Sequence, residues 1–191
     1  MNRESKVLPV LFLLIFFLSG CINEHLILPG EGQGNDMNVT GDNNLSSETV
    51  VERIPFPVSE YASIVRSGRG TVKGSIYLVD ASGRKIFGRH TRLYLNPVTS
   101  YSRQWYTQSY INGKKMGKAD PRLFNYLKFT SSDKNGNFAF YGVGEGRYYL
   151  IGIVKCAAEC GYDTPQNIRI AKEVYVKDGE TVETDLDKAY D

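Results

Sequence analysis

Few residues of this 191-residue chain can do chemistry on their own: three cysteines (Cys21, Cys156, Cys160) and two histidines (His25, His90). A hydrolytic triad needs a base oriented by a carboxylate. His90 sits between Arg89 and Thr91-Arg92 with no acid beside it, so it reads as a surface strand residue, and a hydrolase built on it is the weaker functional class. Zinc would need more ligands than the Cys156/Cys160 pair supplies, and neither histidine is near that pair in sequence. Gly142-Val143-Gly144-Glu145-Gly146 has the glycines of a phosphate loop, but a strand pattern follows it where a helix is required. Asp133-Lys134-Asn135-Gly136-Asn137 departs from a calcium loop in the position of its glycine and lacks the distal glutamate. No catalytic residue, metal ligand or cofactor site is assigned.

Two other constellations remain. Cys156 and Cys160 are close enough for a turn to bring their α-carbons together. In an oxidising compartment they form a disulfide, and the alternative is two buried thiols. The stretch from Asn96 to Lys128 is longer than a simple strand connection and carries Tyr101, Arg103, Trp105, Tyr106, Tyr110, Lys114, Lys115 and Lys118. Between Arg84 and Lys128 there are ten Lys/Arg and one acid, Asp120. Displayed, these rings and cations make a binding surface for a glycan, an anionic polymer or an acidic envelope protein. Packed inward, the i, i+4 spacing of Tyr101, Trp105 and Tyr106/Tyr110 suits a short helix docked on a sheet, and aromatic rings are buried more often than displayed.

These residues must be positioned by strands. Thirteen tyrosines, nine phenylalanines and nineteen glycines favour a β-rich, turn-rich body. Val72, Ile76 and Leu78 share one face of a first strand, with Lys73, Ser75 and Tyr77 on the other. Asp80-Ala81-Ser82-Gly83 is a turn. Leu93 and Leu95 mark a second strand and Leu127 and Phe129 a third. Asn135-Gly136 predicts a hairpin to the strand carrying Phe138 and Phe140. Tyr148–Val154, apolar on both faces, predicts a central strand. Val174 and Val176, then Val182 and Leu186, predict a last hairpin around Asp178-Gly179, with Glu183, Asp185 and Asp187 outward.

The net charge of +2 divides unevenly, into +1 over residues 1–20, −6 over 21–52 and +7 over 53–191, which predicts a segmented chain. Residues 1–20 have a charged start and twelve mostly apolar residues, Val7–Leu18, too few to span a bilayer. Leu18-Ser19-Gly20-Cys21 resembles the lipobox of bacterial lipoproteins. The resemblance implies a cleaved signal peptide (1–20), acylation of Cys21, a palmitate-type lipid anchor that attaches the protein to a membrane, and a place in the bacterial cell envelope. By resemblance to enterobacterial lipoprotein sorting, Ile22 after the cysteine, in place of Asp, implies the outer membrane, on its periplasmic or surface face. Residues 21–55, acidic and rich in Gly and Asn, are expected to be a flexible tether. Nucleic acid is not an expected partner of an exported, anchored protein.

From residue 70 onward the residues resemble a family. Gly70–Ile76, Asp80, Gly83, Leu93-Tyr94-Leu95, Asp133–Phe140, Val143–Leu150 and Val174–Val182 look like the carboxypeptidase regulatory-like domain. The resemblance implies an all-β fold for residues 56–191: an Ig-like/transthyretin-like antiparallel β-sandwich of about seven strands, with the aromatic and basic insertion over about 96–128. Gly144 stands where the family usually has proline. It further implies a non-catalytic binding or structural module, and the same anchor on a structural part of a secretion or surface assembly is the alternative.

Overall fold

The computed structural model describes residues 50–190. The signal peptide, Cys21 and the tether up to residue 49 lie outside the described residues. Nine strands occur in the order β1 (Gly70–Asp80), β2 (Lys85–Phe87), β3 (Arg92–Pro97), β4 (Lys128–Ser131), β5 (Asn137–Val143), β6 (Gly146–Cys156), β7 (Gln166–Val176), β8 (Thr181–Glu183) and β9 (Leu186–Tyr190). Helix α1 (Val58–Ala62) precedes them, and α2 (Ser100–Trp105) lies between β3 and β4.

The strands form two facing sheets, the β-sandwich expected from the sequence. In one, the long β1 pairs antiparallel with β5 and β2, and parallel with β8 and β9. The other runs β4-β3-β6-β7, antiparallel throughout. Between them Val72, Ile76 and Leu78 of β1 meet Leu93, Leu95, Leu150, Val154, Ile170 and Leu186, all essentially solvent-free. Alternation puts every second residue on one face, and a fully buried side chain of this size contributes about 1.5–3 kcal/mol. Tyr77 departs from the outward placement expected for it: it is buried against the Phe87 ring, with Lys85 Nζ 3.9 Å above its centroid.

Two expected connections differ. Asn135-Gly136 does reverse the chain, with Gly136 at φ +82°, but β4 and β5 belong to different sheets, so the turn arches across the sandwich. The turns at Val143–Gly146 and Asp178-Gly179 cross in the same way. Turn residues set a reversal; whether the flanking strands pair is decided by where their apolar faces must go. Phe138 and Phe140 complete the core from the β1 side. Crossing at Asp178-Gly179 is also what lets β8 and β9 run parallel to β1, in place of the antiparallel last hairpin.

Strand β6 is apolar on both faces, and its outer residues Tyr149 and Ile151 are covered by a cap. Trp105 and Met116 pack on Tyr149, Ile151 and Ala171. Tyr101, Ala119, Leu123 and Leu127 continue the layer and enclose Tyr61 of α1, with Phe56 stacked on Tyr61 at 4.4 Å. The chain before α1 joins this cap. Val51 bridges Met116, Arg53 Nε donates to the Gly117 carbonyl (2.6 Å), and Ile54 N and the Glu52 carbonyl both bond the Gln104 amide. Residues 51–55, placed in the flexible tether by composition, are therefore docked, because paired backbone groups and buried rings offset their ordering entropy.

The glycine at position 144 has a physical reason. The segment after α1 crosses the Val143–Gly146 turn, Gly68 N donates to the Gly142 carbonyl (3.3 Å), and a β-carbon at 144 would strike the Val65 carbonyl. Gly144→Ala is expected to cost roughly 1–3 kcal/mol, the usual range for overpacking, read as a lower urea midpoint; an unchanged midpoint would show that this crossing is not tight.

Candidate functional site

The structure separates the residues expected to form one binding surface. Helix α2 starts at Thr99, whose Oγ1 accepts from Ser102 N while Thr99 N donates to Ser102 Oγ (2.9 Å), a reciprocal cap. The helix carries Tyr101 and Trp105 inward, at 2% and 1% exposure, and these two belong to the cap's interior, not to a surface. Burial pushes the neighbouring Tyr61 hydroxyl up to about 12. From Tyr106 to Ile111 the helix widens to π geometry. That turn lays Tyr106 flat on Tyr149, 4.4 Å between centroids, with Tyr110 at 5.3 Å from Tyr106. Both rings are half-buried. Arg103, Lys114, Lys115 and Lys118 remain at the surface, but the rings meant to lie beside them are spent on packing, Tyr101 around Tyr61 and the others on β6.

An open cavity of about 710 Å³ lies elsewhere, at the end of the sandwich where β2 and the following loop face β6 and the β6–β7 connection. Its volume is that of a ligand cleft, roughly 300–1,000 Å³. One wall is Arg84–Thr91; the other is Ile153, Lys155, Cys156, Ala157, Glu159, Pro165 and Asn167. Composition made Arg84–Arg92 legible as basic. Only the fold brings Lys155 and Asn167, paired across β6 and β7, to the same cavity.

Both walls are held from behind. Gly88 N donates to the Ile76 carbonyl (2.9 Å), His90 N to the Asp133 carbonyl (3.2 Å) and Thr91 N to Ser132 Oγ (3.0 Å), while Ser132 Oγ donates to the Gly88 carbonyl (2.6 Å). Anchored on both sides, His90 adopts φ +50° in a turn, not the strand expected for it. Such a conformation costs energy and persists only where the surroundings enforce it. The His90 ring has no hydrogen-bond partner among the described residues. The Asp133 carboxylate oxygens accept from Asn135 N, Asn137 N and Asn137 Nδ2 and do not orient the ring. The opposite wall is closed by the Cys156–Cys160 disulfide, with α-carbons 5.8 Å apart. Tyr190 donates its hydroxyl to the Cys160 carbonyl, and Arg84 Nη2 to that of Glu159 (3.2 Å).

The lining is electropositive. Arg84, Lys85, Arg89 and Lys155 face one carboxylate, Glu159. Arg84 is compensated by Asp80 at 2.9 Å. Hydrogen bonds from the Ser82 hydroxyl first, then from Arg84, hold the Asp80 carboxyl down at about 2. Arg89 and Lys155 make no ion pair among the described residues. No cluster of three His, Cys, Asp or Glu among the described residues is arranged to hold a metal.

Fold and site together define a two-sheet β-sandwich with a helical cap on one face and a preformed basic cleft at one end. A solved structure from Pseudomonas aeruginosa, described as a "putative carbohydrate binding protein", is similar to this chain with a TM-score of 0.62 and 26% identity, covering 71% of this chain and 99% of its own. The minor pilin GBS52 of Streptococcus agalactiae is similar at TM-score 0.37 and 15% identity, covering 65% and 46%, and an (S)-allantoin synthase at 0.31 and 9%, covering 69% and 45%. No family model matches the sequence and no curated protein matches it.

The cap and the disulfide loop can each be tested by unfolding. Trp105→Ala is expected to cost about 3–5 kcal/mol as a large core truncation. Trp105→Phe should cost much less, since Trp105 Nε1 has no hydrogen-bond partner among the described residues; equal, small effects of both would place Trp105 at the surface after all. Removing the disulfide with Cys156→Ala and Cys160→Ala should cost about 2 kcal/mol or less, because the closed loop spans only four positions. A larger loss in urea unfolding would mean that the loop supports more than its own wall.

Proposed function

We propose that this protein is a lipid-anchored module of the bacterial cell envelope that binds a glycan without transforming it. The observation that carries the reading is the preformed cleft, whose mixture of hydrogen-bonding and apolar lining (Thr91, Asn167, Ile86, Phe87, Ile153) suits the polar edge and apolar face of a sugar ring. The similarity over nearly the whole length of a protein described as carbohydrate-binding supports it. The anchor rests on the Leu18-Ser19-Gly20-Cys21 motif behind its apolar run; two or more acyl chains attach a protein firmly where one is marginal. The non-catalytic role is supported by His90, which lacks the orienting partner a base needs.

Cys21→Ser is expected to move the protein from the membrane fraction to the soluble fraction, and persistent membrane attachment would remove the anchor from this reading. The acylated protein in detergent should be retarded in gels containing envelope polysaccharide of its own cell and should leave the chain length of that polysaccharide unchanged. Shortening of the polysaccharide, abolished by His90→Ala, would make it a hydrolase instead.

A further inference from the structure

The disposition of charge in the cleft also bears on the kind of glycan, an inference that rests on the glycan-binding reading of the same site. Of its four Lys/Arg side chains, Arg84 is already held by Asp80 at 2.9 Å and by the Glu159 carbonyl. Lys85 lies over the Tyr77 ring at 3.9 Å. Arg89, at the tip of the pinned loop, and Lys155, on the facing strand, have no carboxylate partner, and both are exposed into the same space. The nearby acids are committed: Asp80 as described, and Asp133 to Asn135 N (2.7 Å), Asn137 N (2.9 Å) and Asn137 Nδ2 (3.0 Å). That leaves Glu159 as the single lining carboxylate, on the disulfide loop.

Two unpaired cations on opposite walls of a concave site repel each other unless a negative group sits between them. Folding has not relaxed this arrangement, because the loop bearing Arg89 is fixed through Gly88, His90 and Thr91, and Lys155 is fixed by the β6–β7 register. With both backbones held on facing walls of a cavity of about 710 Å³, only the two side chains remain to be ordered when an anion enters. The apolar wall of Ile86, Phe87, Ile153 and Pro165 adds contact for a ring. A bilayer surface is flat and would be met by a protruding patch, whereas this site is a recess.

We infer that the cleft is specific for an anionic glycan, a sugar chain bearing carboxylate or phosphate groups, with Arg89 and Lys155 clamping one negative group from opposite sides. The guanidinium of Arg89 supplies a planar, bidentate fork and Lys155 a compact charge. Asn167, opposite Lys155 on β7, is placed to bond a neighbouring hydroxyl.

The test uses the full-length acylated protein in detergent, titrated with polygalacturonate, with phosphomannan and with neutral dextran at two salt concentrations. Binding of one or both anionic polymers but not of dextran, weakening with salt, is expected, and the two anionic arms tell carboxylate from phosphate. Arg89→Gln with Lys155→Gln should reduce that affinity about tenfold or more while leaving the thermal midpoint unchanged. Lys114→Gln with Lys118→Gln, outside the cleft, should leave it intact. Loss of affinity that is equal in both double variants would overturn the cleft as the site, the attraction then being diffuse charge. Dextran bound as tightly as the anionic polymers, without salt dependence, would overturn the anionic specificity and leave the glycan reading standing. If none of the three polymers binds, and the protein's own envelope polysaccharide does not retard it either, both readings fall. Binding to phosphatidylglycerol vesicles by the Cys21→Ser protein, lost in Arg89→Gln with Lys155→Gln, would assign the cleft to lipid headgroups and overturn the inference.

Discussion

Strand β6 is apolar on both faces, and much of the remaining architecture answers that constraint. Its inner residues, Tyr148, Leu150 and Val154, are covered by the β1 sheet, as in any two-layer sandwich. Its outer residues, Tyr149 and Ile151, would lie in water beside Tyr94 and Ala171 unless a third layer covered them. At about 25 cal/mol per Å² of apolar surface, leaving such a patch bare is costly and invites association. The long β3–β4 connection supplies the cover, and it explains why so many aromatic residues fall between 98 and 127. Trp105 and Tyr106 pack on Tyr149, and Tyr101 and Leu123 enclose Tyr61. The connection cannot close the patch alone, so the segment from Val51 to Ile64 is recruited to its edge, where Glu60 receives hydrogen bonds from Ser100 N and Oγ.

Covering β6 decides which surfaces are left for binding. The rings of the insertion are consumed as packing, and its surface cations are left on a convex layer. At the other end of the sandwich the cap does not reach, β2 is only three residues long, and the space between the 85–91 loop and the disulfide loop stays open. The walls of that space are held through Ser132, the Ile76 carbonyl and the Cys156–Cys160 bond.

The sandwich was legible in the sequence because alternation carries it: Val72/Ile76/Leu78, Leu93/Leu95, Phe138/Phe140 and the unbroken run Tyr148–Val154 each lie on the strands they predict. The insertion as a docked helix was legible from the spacing of Tyr101, Trp105 and Tyr106. What local pattern could not provide was partnership. Asn135-Gly136 and Asp178-Gly179 signal reversal equally well in a hairpin and in an arch between sheets, and only the global placement of apolar faces distinguishes the two. The same limit hid the cleft. Arg89 and Lys155 are 66 positions apart, and nothing local in either neighbourhood points to the other. The docking of residues 51–55 was hidden for a related reason, since its bonds run through backbone groups and Gln104, which leave no compositional trace.

The charge distribution acquires a meaning that its total does not have. The acids of the body are largely structural. Asp178 binds Arg69 N and its guanidinium at the arch that sends β8 to β1; Asp185 receives Ser75 N and the Tyr77 hydroxyl where β8 breaks from β9; Asp120 caps the turn at Pro121 through Arg122 N; Asp133 closes the Asn-Gly arch. Each stands where a crossing or a strand break leaves backbone N–H groups without a ladder partner, and a carboxylate satisfies several at once. Some of these acids serve backbone and cation together: Asp178 also pairs with Arg69 and Asp120 with Arg122. The body carries an excess of +7 over residues 53–191. It becomes a local field only where geometry gathers cations around a recess, as Arg89 and Lys155 are gathered at the open end of the sandwich.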